Sequence, residues 1–257
     1  MAIRNILIVE SFNDKSFIEL LLSDLNLTQN TLTEAIEIID LHKFPDPDNP
    51  VNELRGKKNI GKRLSSLYID LRNRTDYKDV NKVGIILDMD DDTMEQNLEL
   101  VNTAIEYAFR INAGLSSESQ QTMIEIPLDR LNEFTIEISC FFTKGLAGKG
   151  NLETILYEIR RNPDIPVPYA DCLALWRDCV SSSDSRIQVS PGVYQKMWAD
   201  NFLRAKAYEL SSKDRKSIIN DFEDKKHRII ERLGKEIFDL NHAALASMRT
   251  YLSLFKD

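Results

Sequence analysis

Two periods of apolar spacing alternate along the first 160 residues. Short continuous apolar runs, "ILIV" (6–9), "AIEIIDL" (35–41), "VGIIL" (83–87) and "FTIEISCFF" (134–142), read as strands of a buried sheet. Between them the spacing turns helical. Phe17, Ile18, Leu21, Leu22 and Leu25 share one helical face, a second helix is expected from about Asn59 to Arg74, and a third from about Thr93 to Asn112 aligns Leu98, Val101, Ile105 and Phe109. "LETILYEIRR" (152–161) supplies a fourth, and "FPDPDNP" (44–50) and "SSESQQT" (116–122) read as loops. This alternation predicts an α/β domain over residues 1–162, with a mostly parallel four-stranded sheet flanked by helices. Residues 163–257 read as all helix, through "YADCLALWRDCV", "GVYQKMWADNFLRAKAYEL" and "HAALASMRTYLSLF", a region packed on the sheet or appended to it. Trp176 and Trp198 fall on helical patterns and are expected in the core.

Composition narrows the class. With 257 residues, 42% hydrophobic and 29% charged, the chain fits a soluble globular protein, and no apolar run approaches the roughly 18–20 residues of a membrane span, so no membrane partner is expected. The N-terminal apolar run is too short for a signal-peptide core, which points to the cytoplasm. Cys140, Cys172 and Cys179 read as reduced, partly buried thiols, since the latter pair would lie about 10 Å apart on a helix. A net charge of −8 argues against a surface that attracts nucleic acid as a whole, so such a partner must be met locally. "RGKKNIGKR" is the local candidate, with Arg55, Lys57, Lys58, Lys62 and Arg63; its alternative is a solvated loop and helix start.

The chemistry gathers where strands end. Ligands of parallel sheets bind beyond the carboxyl ends of the strands, and Glu10 directly follows "ILIV" as Asp88 directly follows "VGIIL". An extended segment would return the Asp90 side chain to the side that Asp88 occupies, so three carboxylates converge on one edge. Unpaired, they raise one another's pKa; a divalent cation removes that penalty. Asp92 with Glu95, and Ser11 with Asp14, have the spacing of helix caps, and Asp91 reads as solvent. "KGLAGKGN" lacks the P-loop order, but Lys144, Lys149 and the turn's backbone N–H groups suit a substrate phosphate. His42, His227 and His242 have no metal-ligand spacing.

These residues resemble the Toprim fold of topoisomerases, bacterial primases and overcoming-lysogenization-defect nucleases, a Rossmann-like fold with Glu after its first strand and Asp-x-Asp after a later one. "VESFNDKSFIELLL" is similar to that fold's opening, and "GKKNIGKRL", "GIILDMDDD", "KGNLETIL", "LRAKAYEL" and "FDLNHAALASMRTYLSLF" resemble, in order, segments of a small Toprim-like bacterial family of unknown function. Ser11 stands where the fold usually has Gly, so a differently shaped loop is expected. The resemblance implies Mg²⁺ or Mn²⁺ held by Asp88 and Asp90, Glu10 as general acid/base or further ligand, and Asp14 and Glu153 as candidates for a second metal. It implies phosphodiester cleavage in DNA or RNA, with Lys57, Lys58, Lys144 and Lys149 on substrate phosphates. It leaves open a partner protein such as an ATPase, and the oligomeric state. No Tyr can be assigned to strand passage and no zinc module is evident, against a topoisomerase or primase. Two alternatives stand beside this one: a noncatalytic metal- or nucleotide-binding subunit of a nucleic-acid-processing or defence system, and a haloacid-dehalogenase-type phosphatase. The latter's signature usually has Thr or Val where this chain has Asp92.

Overall fold

The computed structural model of the chain describes residues 2–26, 34–41, 44–46, 49–54, 57–127, 135–161, 168–183 and 189–256. Its strands are β1 (Ala2–Val9), β2 (Glu34–Asp40), β3 (Phe44–Asp46), β4 (Asn49–Leu54), β5 (Lys82–Asp88), β6 (Ile124–Pro127) and β7 (Thr135–Thr143). Five of them form one sheet in the order β2-β1-β5-β7-β6, parallel except for β6. The sheet thus has five strands where four were expected. The fifth, "IEIP", is too short for its alternation to stand out, and its proline is tolerated because β6 is an edge strand. The expected loop at 44–50 holds strand residues, with β3 and β4 pairing antiparallel as a separate small sheet.

Strand alternation sorts the side chains into two cores. Ile6, Ile8, Ile85, Leu87 and Phe142 pack on one face against α2 (Ile60–Asn73) and α3 (Met94–Phe109), through Leu64, Leu67, Val101 and Ile105. Leu7, Val9, Ile86 and Phe141 face the other way, onto α1 (Phe12–Asp24), α4 (Leu152–Glu158) and the C-terminal helices. Both faces are covered, which is why these strands read as unbroken apolar runs. Helix α3 is shorter than expected, closing at Arg110 with a left-handed backbone (φ 61°). Helix α4 also stops early, because the chain turns to pair with a later segment: Ile159 C=O accepts the N–H of Asp239 at 2.7 Å, and the N–H of Arg161 donates to Ile237 C=O at 2.8 Å.

The C-terminal region consists of α5 (Pro168–Ser183), α6 (Pro191–Ala207), α7 (Ser212–Asn220), α8 (Phe222–Lys225), α9 (His227–Ile237) and α10 (Ala246–Ser253). Its apolar side chains Trp198, Phe202, Ile229, Phe238 and Tyr251 are buried in the same core as Leu7 and Phe17, so it packs on the sheet. Asn5 Nδ2 donates to Phe255 C=O at 3.2 Å and Lys82 Nζ to Leu254 C=O at 3.0 Å, tying the last turn to β1 and β5. Trp198 is fully buried as expected, but Trp176 is 43% exposed on α5 and belongs to no core. Cys140 is buried, whereas Cys172 and Cys179 are exposed on α5 rather than partly buried, and all three are free. Among the described residues no helix is long and apolar enough to cross a membrane.

One glycine sets how closely this region approaches. A Cβ on Gly84, in the middle of β5, would fall 2.4 Å from Phe255 Cζ, 2.6 Å from Leu7 Cδ2 and 2.8 Å from Tyr251 Oη. Gly84→Ala is therefore expected to lower the free energy of unfolding in urea by about 1–3 kcal/mol. Combining it with Phe255→Ala should cost less than the sum of the two single changes, and strict additivity would show that the last turn does not rest on Gly84.

Candidate active site at the carboxyl edge of the sheet

Strands β1 and β5 run parallel with Val9 opposite Ile86, so the chain leaves both at the same edge. Glu10 and Asp88 meet there: Glu10 Oε2 accepts the backbone N–H of Asp88 at 3.3 Å. Asp88 Oδ1 in turn accepts the N–H of Leu152, the first residue of α4, at 3.1 Å. Asp14 comes from the first turn of α1 and is buried. Ser11 caps that helix, accepting the Asp14 N–H at 3.4 Å and donating to Asp14 Oδ2 at 2.5 Å. The backbone at Ser11 is extended (φ −141°), so a serine needs no glycine freedom there and supplies a cap instead. Glu153 enters from the first turn of α4, behind the N-cap Asn151.

Asp90 reaches this edge by a different route from the extended segment expected. Its backbone is left-handed (φ 52°), a conformation that Asp tolerates better than most residues, and it is pinned by a two-bond bridge to Gly150. The Asp90 N–H donates to Gly150 C=O at 2.6 Å and the Gly150 N–H to Asp90 C=O at 3.1 Å. Gly150 must be glycine, since φ is 110° and a Cβ would fall 2.3 Å from Thr154 Oγ1. The glycine-rich turn thus holds the Asp-x-Asp loop in place. Within it the Lys149 carbonyl accepts the Gly145 N–H at 3.0 Å while the Lys149 side chain is exposed, and Lys144 lines a separate cavity.

Lys57 pairs directly with two of the acids of this loop. Its Nζ lies 3.0 Å from Asp90 Oδ2 and 2.6 Å from Asp92 Oδ2, and donates to Asp88 C=O at 3.3 Å and Asn97 Oδ1 at 3.2 Å. Burial disfavours this ammonium, but the Asp92 and Asp90 carboxylates more than offset it and its pKa stands above the ordinary value. Asp92 is therefore an ion-pair partner and not the expected cap; Thr93 caps α3 in a capping box with Gln96. Lys57 drew Asp92 from 35 residues away, which no local spacing announces. Arg63 is half-buried, held below its ordinary pKa by burial, with Asp70, Asp40 and Glu37 acting on it. Lys57 and Arg63 of the basic segment thus have acids of this chain acting on them. Arg55 and the Lys58 side chain lie outside the described residues, as does His42.

Four of the acids stand above the ordinary carboxyl range. Asp88 stands well above the usual carboxyl range through burial, then through Asp14, Glu10, Glu153 and Asp90. Asp14 is pushed up to about 7 by burial, with Glu153 and Glu10 adding to the shift and Ser11 opposing it. Glu10 is raised by burial and by Asp90, against the Asp88 N–H, Lys57 and Lys196. Glu153 is raised by burial, against Lys196 and Lys226. Sequence reasoning missed Lys196. It is an exposed residue of α6, beside Gln195, whose Oε1 accepts Thr154 Oγ1–H at 2.7 Å. Only tertiary packing brings α6 to this edge.

Among the described residues, no group of three or more His, Cys, Asp or Glu stands arranged to hold a metal ion. The chemistry of the donors nevertheless fits a hard divalent cation: carboxylate oxygens at one edge, with neither thiol nor imidazole among them. A bound cation would also lower the repulsion that raises Asp14 and Asp88.

Residues 4–173 match the model of a family described as Protein of unknown function (DUF3226). No curated protein and no solved structure matches the chain.

The raised Asp14 has a signed consequence for metal-free protein. A carboxyl whose folded pKa lies above its unfolded value contributes stability below the unfolded value, near 3.8, and loses it as pH rises through the folded value, near 7. In EDTA, the free energy of unfolding of Asp14→Asn in urea is expected to rise progressively above that of the unsubstituted protein as pH rises from 5 to 8, by an amount on the order of 1–3 kcal/mol at the top of that range. A difference that shrinks with pH would show that Asp14 ionises as an ordinary carboxylate.

Proposed function

The chain belongs to the DUF3226 family, and we propose that it is a Toprim-like, divalent-metal-dependent phosphodiesterase acting on DNA or RNA. The observation that carries this reading is the meeting of Glu10 and Asp88 at the ends of adjacent parallel strands, with Asp14, Asp90 and Glu153 acting on the same edge. Asp88 and Asp90 would hold Mg²⁺ or Mn²⁺, with Asp14 and Glu153 available to a second ion, and the metal would polarise the phosphodiester and neutralise charge on the leaving oxygen.

The chain's own residues do the rest. Glu10, oriented by the Asp88 N–H and with its pKa raised by burial, exchanges a proton with the attacking water or the leaving oxygen. Lys196 draws the substrate phosphate to an edge that would otherwise repel it. The Gly150 bridge and Lys57 keep Asp90 from drifting as charge changes around it. One observation favours a second reading, the noncatalytic metal- or nucleotide-binding subunit: Lys57 already neutralises part of Asp90, leaving less charge for an ion.

The deciding assay offers purified protein, with Mg²⁺ or Mn²⁺, plasmid, single-stranded DNA, structured RNA and a generic phosphomonoester. Nucleic-acid cleavage is expected, reduced about 100-fold or more in Glu10→Gln and in Asp88→Asn. Cleavage that survives both substitutions would falsify the assigned site. Hydrolysis of the phosphomonoester alone would indicate a haloacid-dehalogenase-type phosphatase. Absence of turnover, with Mg²⁺-dependent thermal stabilisation that Asp88→Asn removes, would indicate the binding subunit.

A further inference from the structure

Beside the acidic edge lies a cavity of opposite character. It measures about 290 Å³ and is lined by Ser117, Gln120, Lys144, Ser247 and Thr250 around the Phe141 ring. No Asp or Glu lines it, in a chain where such residues number 41 against 33 Lys and Arg. Three of its donors are unspent among the described residues. Lys144 makes no ion pair or hydrogen bond among the described residues, in contrast to Lys57, and neither do the Ser117 and Ser247 hydroxyls. Thr250 alone of the hydroxyls has given its hydrogen, to Ala246 C=O at 3.0 Å.

An ammonium beside two hydroxyls, with no competing carboxylate, suits a phosphate, while the Gln120 amide already donates to Met94 Sδ at 3.5 Å. The volume exceeds what a bare phosphate fills and leaves room for a pentose beside it. Position relates the cavity to the acids. Thr143, the last residue of β7, is the register partner of Asp88, and Lys144 follows it. Strand spacing and rise put the Cα atoms of Asp88 and Lys144 roughly 6 Å apart, close enough for one strand of nucleic acid to reach both.

We propose that this cavity is a sugar-phosphate subsite, which holds one backbone phosphate and its pentose while a neighbouring phosphodiester of the same strand lies at the acidic edge. The assignment of the strand rests on the phosphodiesterase reading above. The same chemistry is found in a free pentose phosphate, so both sources are tested.

The probes are a labelled 12-nucleotide single strand, with Ca²⁺ in place of Mg²⁺ to suppress cleavage, and ribose 5-phosphate, each offered to the full chain. Lys144→Ala removes the cation, and Ser247→Trp fills the cavity from an exposed position. Both are expected to weaken oligonucleotide binding at least about 5-fold, and Lys144→Ala to lower the slope of log affinity against log salt by about 1. Mg²⁺-dependent thermal stabilisation should be unchanged in both. Oligonucleotide binding equal to wild type in both variants overturns the subsite, and cleavage still lost in Asp88→Asn would leave the phosphodiesterase reading standing. Binding that depends on Lys144, with no form of the protein cleaving, keeps the subsite and overturns that reading. Lys144-dependent binding of ribose 5-phosphate with none of the oligonucleotide overturns the strand assignment, and binding of neither probe overturns the proposal whole.

Discussion

Like charges brought together at the edge of a buried sheet repel, and much of the local structure around residues 10, 88 and 90 offsets or fixes that repulsion. Asp88 receives the first N–H of α4, Glu10 receives the N–H of Asp88, and Asp14 accepts the hydroxyl hydrogen of Ser11, which caps its own helix. Lys57 closes on Asp90 and Asp92, and Asn97 anchors Lys57. These contacts leave the cluster strained toward protonation, as the raised Asp14 and Asp88 record. A chain selected for stability alone would have buried amides or apolar groups there. Keeping carboxylates in such a place makes sense when something positively charged is to be bound.

The sheet makes the cluster possible at a distance in sequence. Parallel pairing in register delivers Glu10 and Asp88 side by side, although 78 positions separate them. The C-terminal helices then complete the edge. They share the core of β1 and β5, and they carry Lys196 and Gln195 to within reach of Glu153 and Thr154. The last turn is fastened to β1 and β5 by backbone carbonyls at Leu254 and Phe255, so the strands that present the acids also hold the helical region.

What could be read from the sequence follows from what is local. Strands buried on both faces are continuous apolar runs, so β1, β5 and β7 were visible, and an acid directly after such a run marks the carboxyl edge, so Glu10 and Asp88 were visible too. Helix-opening acids are equally local, and Asp14 and Glu153 both reach the cluster. The misses are tertiary. The cap is the exception, because Thr93 with Gln96 is itself a local capping-box spacing, while the Lys57–Asp92 ion pair is tertiary. Asp90 owes its place to a bridge with Gly150 and not to strand alternation. Helix α4 ends where Ile237 and Asp239 offer their backbone, and Trp176 looks like core until the helix that carries it is seen to turn that ring outward. The "IEIP" strand is a case of length: four residues on an edge leave too few positions for a period to show.

The central claim is that the carboxylates of Glu10, Asp88 and Asp90 meet in order to bind a cation. Anomalous diffraction from a crystal of the protein grown with Mn²⁺ tests it most directly. The account predicts a manganese peak at the carboxyl edge, with Asp88 and at least one of Glu10 and Asp90 bonded to it through oxygen at roughly 2.0–2.2 Å. A crystal that binds manganese elsewhere, or shows the Lys57–Asp90 ion pair intact with no peak beside Asp88 at millimolar metal, would contradict it.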